Sequence, residues 1–330
     1  MTPAILSVSN LRVQFRSGES IVRAADGVSF DLLKGETLAI VGESGSGKTA
    51  TALSLLRLIE PAGGEVVFDG KDILRSPDPD VRKIRGRRIA MIFQDPSTSL
   101  NPYMTIGAQM AEMTRLHLGH TRTEAREHAI RMLEAVGIPD ANVRVDAHPH
   151  EFSGGMRQRA VIAMALSCNP EILIADEPTT ALDVTVQSQI LELIKDLKER
   201  SGMSVVLITH DLGVVAGTAD RVIVMYAGRV SEEAATEDLF YAAANPYTVG
   251  LLKSMPDLSA EGSDQLYQIP GSPPDLGDLS QGCPFAERCD RAEEICKAEF
   301  PPFVEVASRH HSLCHFAAEV HIASTRGRAA

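Results

Sequence analysis

Three glycines, a lysine and a threonine in GESGSGKT, Gly42–Thr49, have the types and spacing of a G-x-x-x-x-G-K-[ST] phosphate cradle. Glycine lets a backbone wrap closely enough for its N–H groups to face anionic oxygens, and the N-terminus of a following helix adds a positive end. Gly42, Glu43, Ser44, Gly45, Ser46 and Gly47 would form that wrap. Lys48 would set its ammonium between β- and γ-phosphates, and the Thr49 hydroxyl would ligate Mg²⁺. Farther along, the apolar run ILIADE ends in Asp176, suited to complete the Mg²⁺ shell, and Glu177, suited to orient or deprotonate an attacking water. SVVLITHD presents His210 for a hydrogen bond to a γ-phosphate, and RIAMIFQ presents the Gln94 amide to the metal or the water. One more stretch, EFSGGMRQRA at Glu151–Ala160, has the serine and glycines of a phosphate-facing helix start but no lysine. It looks like half of a second cradle.

Groups of this kind need strands that end on one rim, and the chain supplies them. LRVQF and VSFDL precede TLAIV, Thr37–Val41, which enters the glycine-rich turn and then the helical run KTATALSLLRLIE, with Pro61 and Gly63-Gly64 as its stop. EVVFDG and RIAMIF are further strands. From about Pro96 to Leu166 the character is mostly helical, and TEAREHAIRMLEAVG carries apolar residues at helical spacing. Strands return at EILIAD, SVVLIT and RVIVMY, separated by the helical VTVQSQILELIKDLKER and a short helix after His210. This alternation predicts an α/β fold whose polar groups end strands of one sheet, where ligands of open α/β sheets bind. Beyond about Ser231 prolines cluster in IPGSPPDLGDL, and four of the five cysteines follow residue 280, which marks a second, smaller module.

The 330-residue length allows one large domain plus a smaller one. A net charge of −12 argues against nucleic acid or anionic lipid as a main partner, since both require a basic face. The basic run RKIRGRR, Arg82–Arg88, is expected to be a solvated rim beside a strand. No run approaches the roughly 18 apolar residues of a membrane span, and MTPAILSVSN lacks the features of a secretion signal. A cytoplasmic chain with reduced cysteines is expected. Small GTPases, kinases and motor ATPases share the cradle, but no lysine here stands in the [NT]-K-x-D context of a guanine reader.

In order along the chain, the cradle, Gln94, FSGGMRQR at Phe152–Arg159, ILIADEPTTALD at Ile172–Asp183 and ITHD at Ile208–Asp211 resemble the nucleotide-binding subunit of ATP-binding cassette (ABC) proteins. Phe15 falls where that family places an aromatic that stacks on adenine. The resemblance implies a P-loop cassette over residues 1–235, a mixed sheet core with an inserted helical subdomain at about 96–166. It also implies two cassettes facing head to tail, so that Ser153, Gly154 and Gly155 offer a hydroxyl, backbone donors and a helix end to a γ-phosphate held by the partner, with Asp183 among the nucleotide-binding residues. Met156 stands where the commonest family form has glutamine. The stretches VGESGSGKT, MIFQDPSTSLNPYMTIG, ANPYTVGLLKSMP and IPGSPPDLGDLSQGCPFAERC resemble the ATPase subunit of dipeptide/oligopeptide importers over essentially the full chain. That branch implies a second, related ATPase, two membrane permeases and an outside binding protein. It puts this subunit on the cytoplasmic face of the bacterial inner membrane, with no nucleic-acid partner and with Asp95–Ile106 as either a dock for a permease helix or a plain surface loop. Import of nickel or another small solute by the same branch, a soluble ABC ATPase acting on DNA or the ribosome, and an ATP-binding sensor without turnover are the rivals.

Cys283, Cys289, Cys296 and Cys314 are separated by five, six and seventeen residues. Four thiolates suit Zn²⁺ or an iron–sulfur cluster. No C-x₂-C pair occurs, yet His310, His311 and His315 flank Cys314, so a mixed zinc site and unliganded buried thiols both stay open. The resemblance implies a [4Fe–4S] cluster on a tail spanning 236–330. Cys168 is expected to be a small core residue.

Overall fold

The structure is a computed structural model that describes residues 3–18, 20–180, 183–255 and 267–326. Its strands, in chain order, are β1 (Ala4–Ser17), β2 (Ser20–Leu33), β3 (Thr37–Val41), β4 (Gly63–Phe68), β5 (Lys71–Asp72), β6 (Ile89–Ile92), β7 (Ile172–Asp176), β8 (Ser204–Thr209), β9 (Arg221–Tyr226), β10 (Arg229–Ala235), β11 (Phe303–Ala307) and β12 (His310–Leu313). The chain forms two compact units, one built on Arg75–Ile208 with Leu33–Glu36, the other on Ala4–Leu32, Thr37–Leu74 and the residues from Thr209 onward.

In the first unit β6, β7 and β8 pair in parallel, with Ile89 opposite Ile172 and Ile172 opposite Ser204. Every residue of β7 and β8 is buried, as near-continuous apolar runs must be when helices cover both faces of a parallel sheet. Between β6 and β7 run the helices Ile106–Leu118, Arg122–Ala135 and Gly154–Leu166. The second starts on a capping box in which the Thr121 hydroxyl accepts from the Glu124 N–H and the Glu124 carboxylate accepts from the Thr121 N–H. Cys168 is buried, as expected of a small core residue.

In the second unit β2, β1, β4 and β5 form one sheet. Leu6 and Val8 of β1 are buried, then Leu11 and Val13, so the inward phase changes from even to odd positions. The register against β4 shifts between Ser9 and Arg12, and this extra residue keeps both apolar pairs on the core side. A second set of strands runs β3, β9, β10, β12, β11, with β3 and β9 parallel and the rest antiparallel.

Two features depart from the sequence expectation. The helix after the cradle ends at Leu55, not near Pro61. Arg57 adopts φ 50°, its N–H donates to the Ser54 carbonyl, and the Leu58 N–H reaches back to Leu53, a Schellman stop made without glycine. The tail also contributes the strands β11 and β12, which polar residues conceal. His310 Nε2 lies 2.7 Å from Glu232 Oε1, both side chains almost wholly buried between β12 and β10. The Ala244 N–H donates to the same oxygen at 2.6 Å, so the carboxylate is held by two donors.

Candidate active site

The cradle follows β3, whose five residues are all buried, and leads straight into the helix Lys48–Leu55. Gly47 takes φ 99°, and a Cβ there would lie 1.9 Å from the Ala24 carbonyl oxygen; one on Gly42, at φ 153°, would lie 2.2 Å from that of Met225. Backbone therefore closes on the loop from two sides, and only glycine fits. Lys48 is buried, and its ammonium donates to the carbonyls of Gly42 at 2.7 Å and Glu43 at 2.9 Å. The ammonium is thereby folded back over the loop. Thr49, Ser44 and Gly45 are exposed and Ser46 is buried. Phe15, on β1, is 41% exposed, enough ring face for a stacking partner. His210, after β8, is exposed as well.

Asp176 ends β7 and is 2% exposed. The next residue, Glu177, has φ 46° and donates its N–H to the Ile208 carbonyl at 2.9 Å. That kink turns the carboxylate toward the end of β6. The Gln94 amide nitrogen donates to Glu177 Oε2 at 2.9 Å, and the Thr180 hydroxyl donates to the same oxygen at 2.8 Å. Two donors on one oxygen fix the direction of the carboxylate. Gln94 and Glu177 were both expected; Thr180 was not, though it stands in the quoted TTALD run.

Ser153 is the N-cap of the helix Gly154–Leu166, its hydroxyl accepting from the Met156 N–H at 3.3 Å. Ser153 and Gly154 are exposed, and a Cβ on Gly155 would press to 3.1 Å on the Val186 side chain. The helix start is thus open to solvent on one face and packed on the other. Asp183 caps the helix Val184–Ser201, accepting from the Val186 N–H at 2.9 Å. The basic run Arg82–Arg88 lies partly exposed before β6, and Arg88 engages Glu171 through two hydrogen bonds.

All five cysteines of the chain are free thiols, and the four in the tail, Cys283, Cys289, Cys296 and Cys314, line one small cavity of about 30 Å³. Burial raises the thiol pKa of Cys283 and Cys289, and pushes that of Cys314 up to about 12. Neighbouring thiols reinforce the shift in each case where they interact. Among the described residues no three His, Cys, Asp or Glu side chains are grouped so as to hold a metal ion. His310 and His315 are engaged elsewhere, with Glu232 and with the Glu299 carbonyl.

The tail also reaches the cradle itself. Arg288 donates from Nη1 to Glu43 Oε2 at 2.7 Å and from Nη2 to Glu43 Oε1 at 2.9 Å, and the Tyr247 hydroxyl accepts from the Glu43 N–H at 3.0 Å. The carboxylate holds the Arg288 pKa above its ordinary value. Tyr247 and Arg288 stand in the branch-like stretches ANPYTVGLLKSMP and IPGSPPDLGDLSQGCPFAERC, but nothing in either stretch points to Glu43 far upstream.

A glycine cradle leading into a helix and a strand-end carboxylate fixed by a glutamine define a P-loop ATPase of the cassette type. Residues 25–180 match the ABC transporter family, and residues 231–296 match the C-terminal region of oligopeptide/dipeptide transporters. The chain is 52% identical to the oligopeptide transport ATP-binding protein OppD of Salmonella typhimurium over 88% of each chain. It is also 52% identical to the dipeptide transport ATP-binding protein DppD of Bacillus subtilis over 90% of each. Among solved structures, the dimeric post-hydrolysis state of the ATP-binding cassette MJ0796 bound to ADP and Pi superposes with TM-score 0.65 at 31% identity, covering 70% of this chain and 98% of that one. The chain belongs to the family of ATP-binding subunits of oligopeptide/dipeptide ABC transporters, and it is an ABC-type ATPase. Among the described residues no helix is long and apolar enough to cross a membrane.

Proposed function

We propose that this chain hydrolyses ATP to drive di- and oligopeptide import, working at the cytoplasmic face of a bacterial inner membrane. The observation that carries the hydrolytic part is the Glu177 carboxylate held on one oxygen by Gln94 and Thr180. A carboxylate so oriented can take the proton of an attacking water. Thr49 and Asp176 would hold the Mg²⁺, which neutralises charge on the β- and γ-oxygens when bound. Lys48, moved off the Gly42 and Glu43 carbonyls, would contact the phosphates; Phe15 would stack on the base, His210 would steady the γ-phosphate and Asp183 would join the nucleotide set. The peptide solute is inferred from relatives named for oligopeptide and dipeptide transport. Steady-state phosphate release by the purified chain and by its importer tests the activity. Peptide uptake by cells lacking this chain tests the solute, and nickel uptake is the competing outcome.

Within this proposal residues 1–235 form the cassette, with the helical insertion at about 96–166, and 236–330 form the transporter-type tail; separate family matches over residues 25–180 and 231–296 support two modules. Ser153, Gly154 and Gly155 complete the nucleotide site of a facing cassette, a related but non-identical chain. The exposed helix start supports this, as does the dimeric state of MJ0796. Two permeases and an outside binding protein complete the machine. Tyr103, 90% exposed within Asp95–Ile106, is suited to enter a groove on a permease helix.

The four tail cysteines are assigned to a [4Fe–4S] cluster. A four-iron cluster is held by four thiolates, each on its own iron, and suits four cysteines spaced around one cavity wall. When bound it would keep these thiols deprotonated and staple the tail. Iron and sulfide analysis after anaerobic purification tests the assignment, and stoichiometric zinc without iron overturns it.

A further inference from the structure

The contact between Arg288 and the cradle has a consequence for the ATPase reaction. Glu43 is the second residue of the cradle, and it is gripped at three points. Its carboxylate receives both arms of the Arg288 guanidinium, at 2.7 and 2.9 Å. Its N–H donates to the Tyr247 hydroxyl at 3.0 Å, and its carbonyl accepts from the Lys48 ammonium at 2.9 Å. Two of those three grips come from the tail. Arg288 is only 8% exposed and is itself fixed: Nε donates to the Pro270 carbonyl at 2.9 Å, and Nη1 also donates to the Tyr226 hydroxyl at 3.2 Å. The two tyrosine rings and Phe285 pack together with centroids 4.5 to 5.4 Å apart, and all three belong to one buried cluster. A fork-to-fork pair on a rigid base fixes direction as well as distance. The peptide plane that Glu43 shares with Gly42 is therefore set from the tail, and that plane carries one of the carbonyls on which Lys48 rests.

We propose that Arg288 is a positioning residue for ATP binding and hydrolysis, acting through Glu43 on the shape of the phosphate cradle, so that the tail forms part of the cassette's working structure. It touches no phosphate. It sets the backbone that does, and the cradle loses its fixed geometry when the pair is broken.

The test is a double-mutant cycle on the full-length chain with Arg288→Gln, Glu43→Gln and the pair, reading the Mg-ATP dissociation constant and the turnover number separately. Each single variant should weaken Mg-ATP binding by about five- to tenfold, with a smaller fall in turnover, and the double variant should be no worse than the poorer single. Arg288→Lys should recover only part of the affinity, because an ammonium cannot make the bidentate contact. Glu43→Gln keeps the loop's size and leaves the tail intact, so it reports even if Arg288→Gln fails to fold. Unchanged ATP affinity in a folded Glu43→Gln protein overturns the proposal. So does a double variant whose losses equal the product of the singles.

Discussion

Gln94 Nε2 stands 2.9 Å from Glu177 Oε2, and the Thr180 hydroxyl stands 2.8 Å from the same oxygen. The carboxylate is thereby aimed by one residue at a strand end and one three positions downstream. Glu177→Gln should lower steady-state phosphate release by at least roughly a hundredfold while Mg-ATP binding stays intact. Gln94→Ala and Thr180→Val should each slow turnover less, and their effects should not multiply, because they act on one oxygen. Turnover of Glu177→Gln at the parental rate would remove the glutamate from the mechanism.

The cradle glycines differ in what they tolerate. Gly47→Ala drives a Cβ to 1.9 Å from the Ala24 carbonyl oxygen, whereas the Cβ of Gly45→Ala meets nothing within 4 Å. Gly45→Ala should cost only the left-handed strain of about 1–2 kcal/mol. Gly47→Ala should cost more and abolish Mg-ATP binding. Thermal midpoints and nucleotide titrations of the two variants, side by side, decide it. Equal loss in both would mean that close backbone approach is not what selects glycine at position 47.

The Arg122–Ala135 helix carries a pH-sensitive group. His128 Nε2 lies 2.8 Å from the Ser167 carbonyl oxygen, and burial, ahead of the charge of Arg131, lowers the imidazole pKa below its usual value. A lowered folded-state pKa means that the unfolded chain takes up the proton first. The stabilisation is thus present above about pH 6.5 and is lost as pH falls through the folded value. His128→Gln should flatten the decline in thermal midpoint between about pH 7 and 5. A decline as steep as the parent's would place the acid sensitivity elsewhere.

Much of this was legible in the sequence because single residues carry the information locally. The first four residues of buried β7, Ile172 to Ala175, are an unbroken apolar run that leads into Asp176, and the cradle's glycines, lysine and threonine sit in one segment. The helix stop at Arg57 was not legible, because a left-handed residue that is not glycine has no mark of its own. β12 was hidden for a related reason: His310 and Glu232 look like surface residues until their mutual hydrogen bond pairs them in the core. The Arg288–Glu43 pair joins residues 245 positions apart, a separation over which no spacing rule operates.

Tyr103 offers a way to separate hydrolysis from coupling. It is 90% exposed, and its backbone N–H is tied to the Asn101 side chain at 3.0 Å. Tyr103→Ala should leave phosphate release by the isolated chain unchanged and reduce peptide uptake by the assembled importer several-fold, as loss of an aromatic anchor does. Uptake at the parental level would rule out a dock at this residue.

The most direct measurement of the central idea, that a nucleotide cupped by this cassette is closed over by the serine–glycine helix of its neighbour, is site-directed cross-linking in the purified importer. Ser44→Cys in this chain, at an exposed position of the cradle, is paired with a cysteine in the matching turn of the partner ATPase, in the Glu177→Gln background, with and without Mg-ATP. A cross-link that forms with Mg-ATP and fades without it is the expected result. No cross-link under any nucleotide condition, from an importer whose parent form still hydrolyses ATP, would contradict the account.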